Sequence, residues 1–420
     1  DTTYIPKYEY YGYFDSKKCY VYSSGNKRFE PHDAADSDHY CTSGANEWSG
    51  NFLNWATMTR IDAVRKILYG GYRSTDTASE TVLERAFLPH DAHSFAKFYD
   101  GDDIDKLTPF NDVPKLQKGT EATGITICNT TADTDTATNM SQLLKSPPLL
   151  RVVKGNYSLW ASNERWQCRF DGAANDNDKE VSGINAYSAA PTAGSSDIKG
   201  EYVARVKVCV AGLEETDCKQ YPAAGSAKKP IGLFQQFGET NRINFGLMTG
   251  SYGKNKSGGV LRKAVGNMSA EINVTTNGTF TGTAGAIKTL DALRIYGYNY
   301  GDGTYSAGTN HDNCPGGIAG FANGTCSNWG NPQSEIYLES LRYLAGSTAT
   351  SAFASDDSGR IAGLNTIAWG TKPVTEANYC APLNIIQFNA SSSSFDDDEL
   401  SGTGINLSDL NVWTNKIGNA

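Results

Sequence analysis

Histidine is scarce in this chain, five in 420 residues, and two of them, His90 and His93, flank Asp91. Imidazoles three residues apart on one helical turn can share a transition metal. Such an ion wants three or four ligands, and no third donor stands nearby in the sequence. Two acidic stretches could attract calcium, Asp100-Gly-Asp-Asp-Ile-Asp105 and Asp171-Gly-Ala-Ala-Asn-Asp-Asn-Asp178. Neither fits the alternating-oxygen loop that ends in a bidentate glutamate. Asp100, Asp102 and Ile104 fail it, and so do Asp176, Asp178 and Glu180. Both are read as solvated loops. There is no Gly-x-Ser-x-Gly elbow, no phosphate loop and no dinucleotide glycine fingerprint. The expectation is a protein that binds rather than catalyses, with no catalytic, cofactor-binding or metal-ligating residues and no cofactor.

Nine cysteines fall into sequence-local pairs: Cys19 with Cys41, Cys209 with Cys218, Cys314 with Cys326, and Cys128 with Cys168 as the fourth. No C-x-x-C spacing suggests zinc or thioredoxin-like chemistry. Local pairs in a chain with 43 glycines and 23 tyrosines suit disulfides in an oxidising compartment. Cys380 is left over. The net charge of −9 comes without clustered lysine and arginine, which excludes nucleic acid as a partner and a polybasic membrane patch. No stretch reaches the roughly 18 consecutive apolar residues of a membrane span.

The elements that would position these groups are few. Between Ser49 and Gly71, Leu53, Thr57, Ile61, Val64 and Leu68 recur at helical spacing, with Arg60, Arg65 and Lys66 off that face. Ser49 is the cap and Gly70-Gly71 the left-handed stop. A second helix spans 331–346, with Asn331 as cap, Pro332 at its first position, Gly346 at its end and Tyr337, Leu341 and Leu344 on one face. Residues 242–249 and Leu383–Phe388 are apolar on both faces, as covered central strands are. Residues 1–48 read as a tyrosine-rich β-subdomain whose tyrosines pack a core. Leu149–Val153 and Tyr157–Trp160 read as strands around a Gly155-Asn156 turn, and Tyr202–Val210 as one half-buried strand. Helix, buried strand, helix, buried strand predicts an α/β core with a parallel sheet.

The run Gly50-Asn-Phe-Leu-Asn-Trp-Ala-Thr-Met-Thr-Arg-Ile-Asp62 resembles the signature of the PilC/PilY family of type IV pilus tip-associated proteins. The similarity continues through Arg73-Ser-Thr-Asp76, Val82-Leu-Glu-Arg-Ala-Phe-Leu-Pro89 and Asp91-Ala-His-Ser94. It resumes at Cys218-Lys-Gln-Tyr-Pro222, Lys229-Pro-Ile-Gly232, Phe245-Gly-Leu-Met-Thr-Gly-Ser-Tyr252 and Ser257-Gly-Gly-Val-Leu-Arg-Lys263. Trp329-Gly-Asn-Pro332, Glu339-Ser-Leu-Arg-Tyr343 and Tyr379-Cys-Ala-Pro-Leu383 complete it in the family's order. The family keeps a residue like His93 but usually has glutamine at the place of His90, which argues for a structural His93 rather than a metal pair.

The resemblance implies an α/β fold with a von Willebrand A-like, Rossmann-like core carrying large β-rich and loop insertions. The expected division is 1–71 as N-terminal segment and first helix, 72–238 as a β-rich insertion, and 239–420 as the rest of the core with a disulfide-tied loop at 297–330. Such cores often hold a divalent ion through Asp-x-Ser-x-Ser, a threonine and an aspartate. Here Asp356-Asp-Ser-Gly-Arg360 fails at its last position, and Asn331 and Asn389 stand near the other two places. Neutral amides are poor ligands for a hard cation, so calcium is a weak expectation. The implied function is an extracellular, cell-surface, pilus tip-associated adhesin and biogenesis factor that mediates attachment and controls pilus assembly or retraction. Its partners would be minor pilins and a host or abiotic surface ligand. A structural subunit of an extracellular filament is the alternative. No propeller-like repeat is visible, and missing sequence is expected on both sides.

Overall fold

Two asparagines three residues apart organise the N-terminal region. In the computed structural model the chain is described over residues 3–44, 46–113, 123–131, 147–161, 167–168, 170, 191, 194–223, 225, 227–298, 305, 321–353, 355–389, 391–396 and 399–400. It divides into two units. The first comprises Asp1–Gln236, Ile272–Thr281 and Gly297–Thr309, the second Phe237–Glu271, Gly282–Tyr296 and Asn310–Ala420.

In the first unit, β1 (Lys18–Ser23), β2 (Arg28–Ala34) and β3 (Glu47–Ser49) precede α1 (Gly50–Thr57). Ser49 caps α1: its hydroxyl accepts the Phe52 N–H at 3.3 Å and donates to the His39 carbonyl. Asn51 and Asn54, both buried, use their amides as a substitute ladder. Asn51 accepts from the Tyr10 N–H and donates to the Tyr8 carbonyl, each at 2.8 Å. Asn54 accepts from the Phe14 N–H at 3.0 Å and donates to the carbonyls of Tyr10 and Phe14. An irregular tyrosine-rich segment thereby satisfies its backbone without a strand partner. Tyr4, Tyr13 and Tyr20 are buried with Phe52, Trp55 and Tyr99 in one aromatic core, while Tyr8 and Tyr11 are exposed.

The helix expected over 49–71 is two helices. Met58 is extended, and Thr59 starts α2 (Arg60–Tyr69) by exchanging hydrogen bonds with Asp62. Of the expected stripe, Leu53, Thr57 and Leu68 are buried, Ile61 and Val64 are half-buried, and neighbouring Ile67 is 41 % exposed. The inner face of α2 is Asp62, Arg65, Leu68 and Tyr69. The reason is electrostatic. The Asp62 carboxylate accepts the Ala86 N–H and the Tyr13 hydroxyl and lies 3.5 Å from Arg65, so the buried charge is fully partnered. Gly70 ends α2 at φ +87°, where a Cβ would stand 2.5 Å from the Pro230 carbonyl oxygen.

Further on come β4 (Arg73–Asp76), β5 (Thr81–Glu84), β6 (Phe95–Tyr99), α3 (Ile104–Leu107), β7 (Ile125–Thr131), β8 (Pro148–Lys154), β9 (Ile198–Val203) and β10 (Arg205–Val208). One sheet has the order β3-β1-β2-β10-β5-β4 and another β6-β7-β8-β9. The second sheet is antiparallel throughout, and so is the first except for the single position Val206↔Phe29 of β10 and β2. The expected strand Tyr202–Val210 breaks at Ala204, whose N–H donates to the Pro148 carbonyl and whose carbonyl accepts the Arg85 N–H. Each half therefore serves a different sheet. Residues 158–161 form a short 3-10 turn rather than a strand. A small pair, β11 (Cys218–Gln220) and β12 (Lys228–Pro230), follows, and α4 (Leu233–Gly238) carries the chain toward the second unit.

The second unit contains β13 (Phe245–Thr249), β14 (Val260–Gly266), α5 (Ala286–Ala292) and α6 (Gln333–Ala345). Arg262 of β14 is fully buried and paired with Asp357 at 2.5 Å. Asp357 also accepts the N–H groups of Tyr252 and Gly253. That network joins Tyr252 and Arg262, one from each of the blocks 245–252 and 257–263, to Asp357 of Asp356-Asp-Ser-Gly-Arg360.

The fold is mixed α/β, built from several small sheets and few helices. The parallel sheet of a von Willebrand A-like core does not occur among the described residues. Of the strands in 72–238, β4, β5 and β10 share a sheet with β1–β3, while β6–β9 form a sheet of their own. β13 is half-buried and pairs only with β14 among the described residues. Leu383–Phe388 is not a buried strand: Leu383, Ile386 and Phe388 are 57, 75 and 52 % exposed. Apolar composition signals a capacity for burial, and here no described neighbour supplies it. No solved structure matches this chain.

Candidate functional site

The second unit carries an exposed apolar surface built on α6. Its inner face is Glu335, Leu338, Glu339, Arg342 and Tyr343. Glu339 pairs with Arg342 at 3.0 Å and accepts the Thr350 N–H and hydroxyl, and the Tyr343 hydroxyl accepts the Val265 N–H. With these residues turned inward, the stripe Tyr337, Leu341 and Leu344 is left on the outside. It lines an open groove of about 480 Å³ together with Lys372, Val374, Leu383 and Ile385. The exposed run from Tyr379, 73 % accessible, to Phe388 extends the same apolar character. An apolar strip of this kind can bury area against a partner, and nothing in its donors suggests chemistry. Asn331 does not cap the helix; Pro332 holds the cap position without a side-chain bond. Asn331 instead donates to Asn389 at 3.0 Å and to the carbonyls of Ser391 and Ser392, and accepts from the Gln333 amide.

In the first unit His90 and His93 do not face a common point. His90 is fully buried, its ring edge-on to Tyr298 at 5.2 Å. His93 turns to Asp91: Nδ1 lies 2.9 and 3.1 Å from the two carboxylate oxygens, and the His93 N–H donates to Asp91 Oδ1. The Tyr305 hydroxyl, more than two hundred residues away in sequence, donates to Asp91 Oδ2 and lies 3.2 Å from His93 Nδ1. Sequence spacing gave no signal for that third residue.

Cys19–Cys41, Cys128–Cys168 and Cys209–Cys218 are bonded, with Cα separations of 5.7, 5.8 and 5.6 Å. Cys326 is also in a disulfide; Cys314 lies outside the described residues, and so do Asp176, Asp178 and Glu180. Cys380 is free and exposed. Glu47 lies beside the first pair and Glu215 beside the third, but bonded sulfurs offer no thiolate for a metal.

Among protein families, residues 1–153 match a family described as "PilY1 homolog, small alpha/beta domain", and residues 245–420 match "PilY1 homolog, second domain". A type IV pilus biogenesis factor PilY1 homolog of Xylella fastidiosa (strain Temecula1) is 37 % identical over 372 residues, covering 83 % of this chain and 23 % of that protein. A second PilY1 homolog of the same strain is 41 % identical over 92 residues, 20 % of this chain and 8 % of its own length. The chain thus spans less than a quarter of the longer match.

Proposed function

Because the chain belongs to the PilY1 family, we propose that it is an extracellular, pilus tip-associated adhesin and biogenesis factor. It acts by binding, not catalysis. It contacts minor pilins at the pilus tip and a host or abiotic surface ligand, and it influences pilus assembly or retraction. The similarity over 83 % of the chain to a protein named for type IV pilus biogenesis carries this reading. The disulfides suit an oxidising, extracellular location. The apolar strip on the second unit suits docking of another protein. No helix among the described residues is long and apolar enough to cross a membrane.

The test is an in-frame deletion of this region in the encoding strain, with pili sheared from the surface and quantified alongside attachment. The expected result is fewer surface pili and weaker attachment with the major pilin still present in the cell. Unchanged piliation, attachment and twitching in the deletion strain would overturn the proposal.

A further inference from the structure

We propose that Asp91, His93 and Tyr305 bind a single first-row transition-metal ion, with zinc as the probe suited to their donors. A carboxylate, an imidazole and a phenol converge from two segments far apart in sequence. His93 Nδ1 is 2.9–3.1 Å from the Asp91 oxygens and 3.2 Å from the Tyr305 hydroxyl, which also touches Asp91 Oδ2. Two donors on one tetrahedral zinc stand about 3.3 Å apart, given metal–ligand distances near 2.0–2.1 Å. Small outward shifts would therefore admit an ion in place of the protons that now bridge the three atoms.

The arrangement is held in place from outside. The Ser94 N–H closes a turn onto the Asp91 carbonyl. The Ser94 hydroxyl ties that turn to the Pro89 carbonyl at 2.8 Å and to Thr130 of β7 at 3.0 Å. The Tyr305 ring packs on Tyr298 at 5.4 Å, and Tyr298 packs on buried His90. Pre-positioned donors of this kind lose little freedom on binding. The side chain of Asp91 is 7 % exposed and that of His93 38 %, which leaves a solvent-facing side where water can complete the coordination. One nitrogen and two oxygen donors suit zinc or its neighbours. Calcium and magnesium ask for six or more oxygens. A local turn accounts for the contact of Asp91 with His93, but not for a tyrosine hydroxyl brought to the same carboxylate from 214 residues away. A neutral imidazole can ligate through Nδ1 with its proton on Nε2, and the phenol gives up its proton to ligate, so loading should release a proton.

Isothermal titration with zinc chloride tests this on the whole chelator-treated chain carrying Cys380→Ser, which removes the exposed thiol as a competing ligand. The expected result is one ion per chain with proton release, seen as an enthalpy that depends on the buffer. His93→Gln and Tyr305→Phe should each weaken binding by about tenfold or more, while the metal-free melting temperature stays near that of the parent. Absence of stoichiometric binding in the parent would overturn the site, as would unaltered affinity in either variant. If a variant melts early, Asp91→Asn and cobalt(II) absorption provide the second reading, and visible bands that persist without the Asp91 carboxylate would equally contradict the proposal.

Discussion

At Asn51 and Asn54 a side-chain amide does the work that a neighbouring strand does elsewhere. Asn54→Ala removes one acceptor and two donor contacts from a buried helix face and leaves the backbone of Tyr10 and Phe14 unsatisfied. The expected cost is on the order of 2 kcal/mol, read as a lower urea midpoint with an unchanged slope. A midpoint equal to that of the parent would show that segment 4–14 is not anchored by this amide. Glu80 offers a second test. Its hydrogen bond from Arg28, with Lys207 adding to it, holds its carboxyl below the ordinary glutamate value of 4.5. A lowered folded-state pKa stabilises the fold above the unfolded pKa, and that stability is lost as pH falls through the folded value. Glu80→Gln should therefore flatten the acid side of the stability curve below about pH 5. The change should be small, under about 1 kcal/mol, because the pair is partly solvated. Identical acid profiles for the two proteins would contradict it.

Among the elements, α6 separates packing from sequence pattern. Leu338 is 1 % exposed, and Leu338→Ala should cost roughly 3 kcal/mol. Tyr337→Ser and Leu383→Ser lie on the groove and should change stability by no more than about 0.5 kcal/mol. Thermal unfolding of the three variants distinguishes the faces; large losses from Tyr337 or Leu383 would mean that the groove is closed in solution. Three helix ends were legible because they depend on local chemistry: Ser49 caps, and Gly70 and Gly346 adopt the left-handed conformation; the cap expected at Asn331 falls on Pro332 instead, and the break at Met58–Thr59 left no signal in the spacing. Faces were not legible. α2 and α6 bury Asp62 with Arg65 and Glu339 with Arg342, and hydrophobic periodicity is blind to charges that are satisfied inside. The meeting of Asp91 and His93 with Tyr305 was hidden for a different reason, since contacts between distant segments leave no spacing to read. The strand at β13 was legible as a strand, but its half-buried state was not, because burial depends on what lies alongside.

For the molecule as a whole, the three bonded pairs with both cysteines described lie in the first unit. They close loops with sequence separations of 22, 40 and 9 residues. Each should contribute about 2–4 kcal/mol by restricting the unfolded chain. Calorimetry with and without a reducing agent should show a marked drop in melting temperature on reduction; an unchanged transition would mean that the bonds add nothing to the fold. The proposal of work outside the cell at a pilus rests on these disulfides, the exposed apolar strip and the family match. Labelled antibody against this chain, applied to intact cells and isolated pili, tests that claim most directly. Sparse label at filament ends is the predicted result. Label spread evenly along the filaments would instead support a structural subunit, and no label on intact cells or pili, with the chain detected only after lysis, would contradict the account.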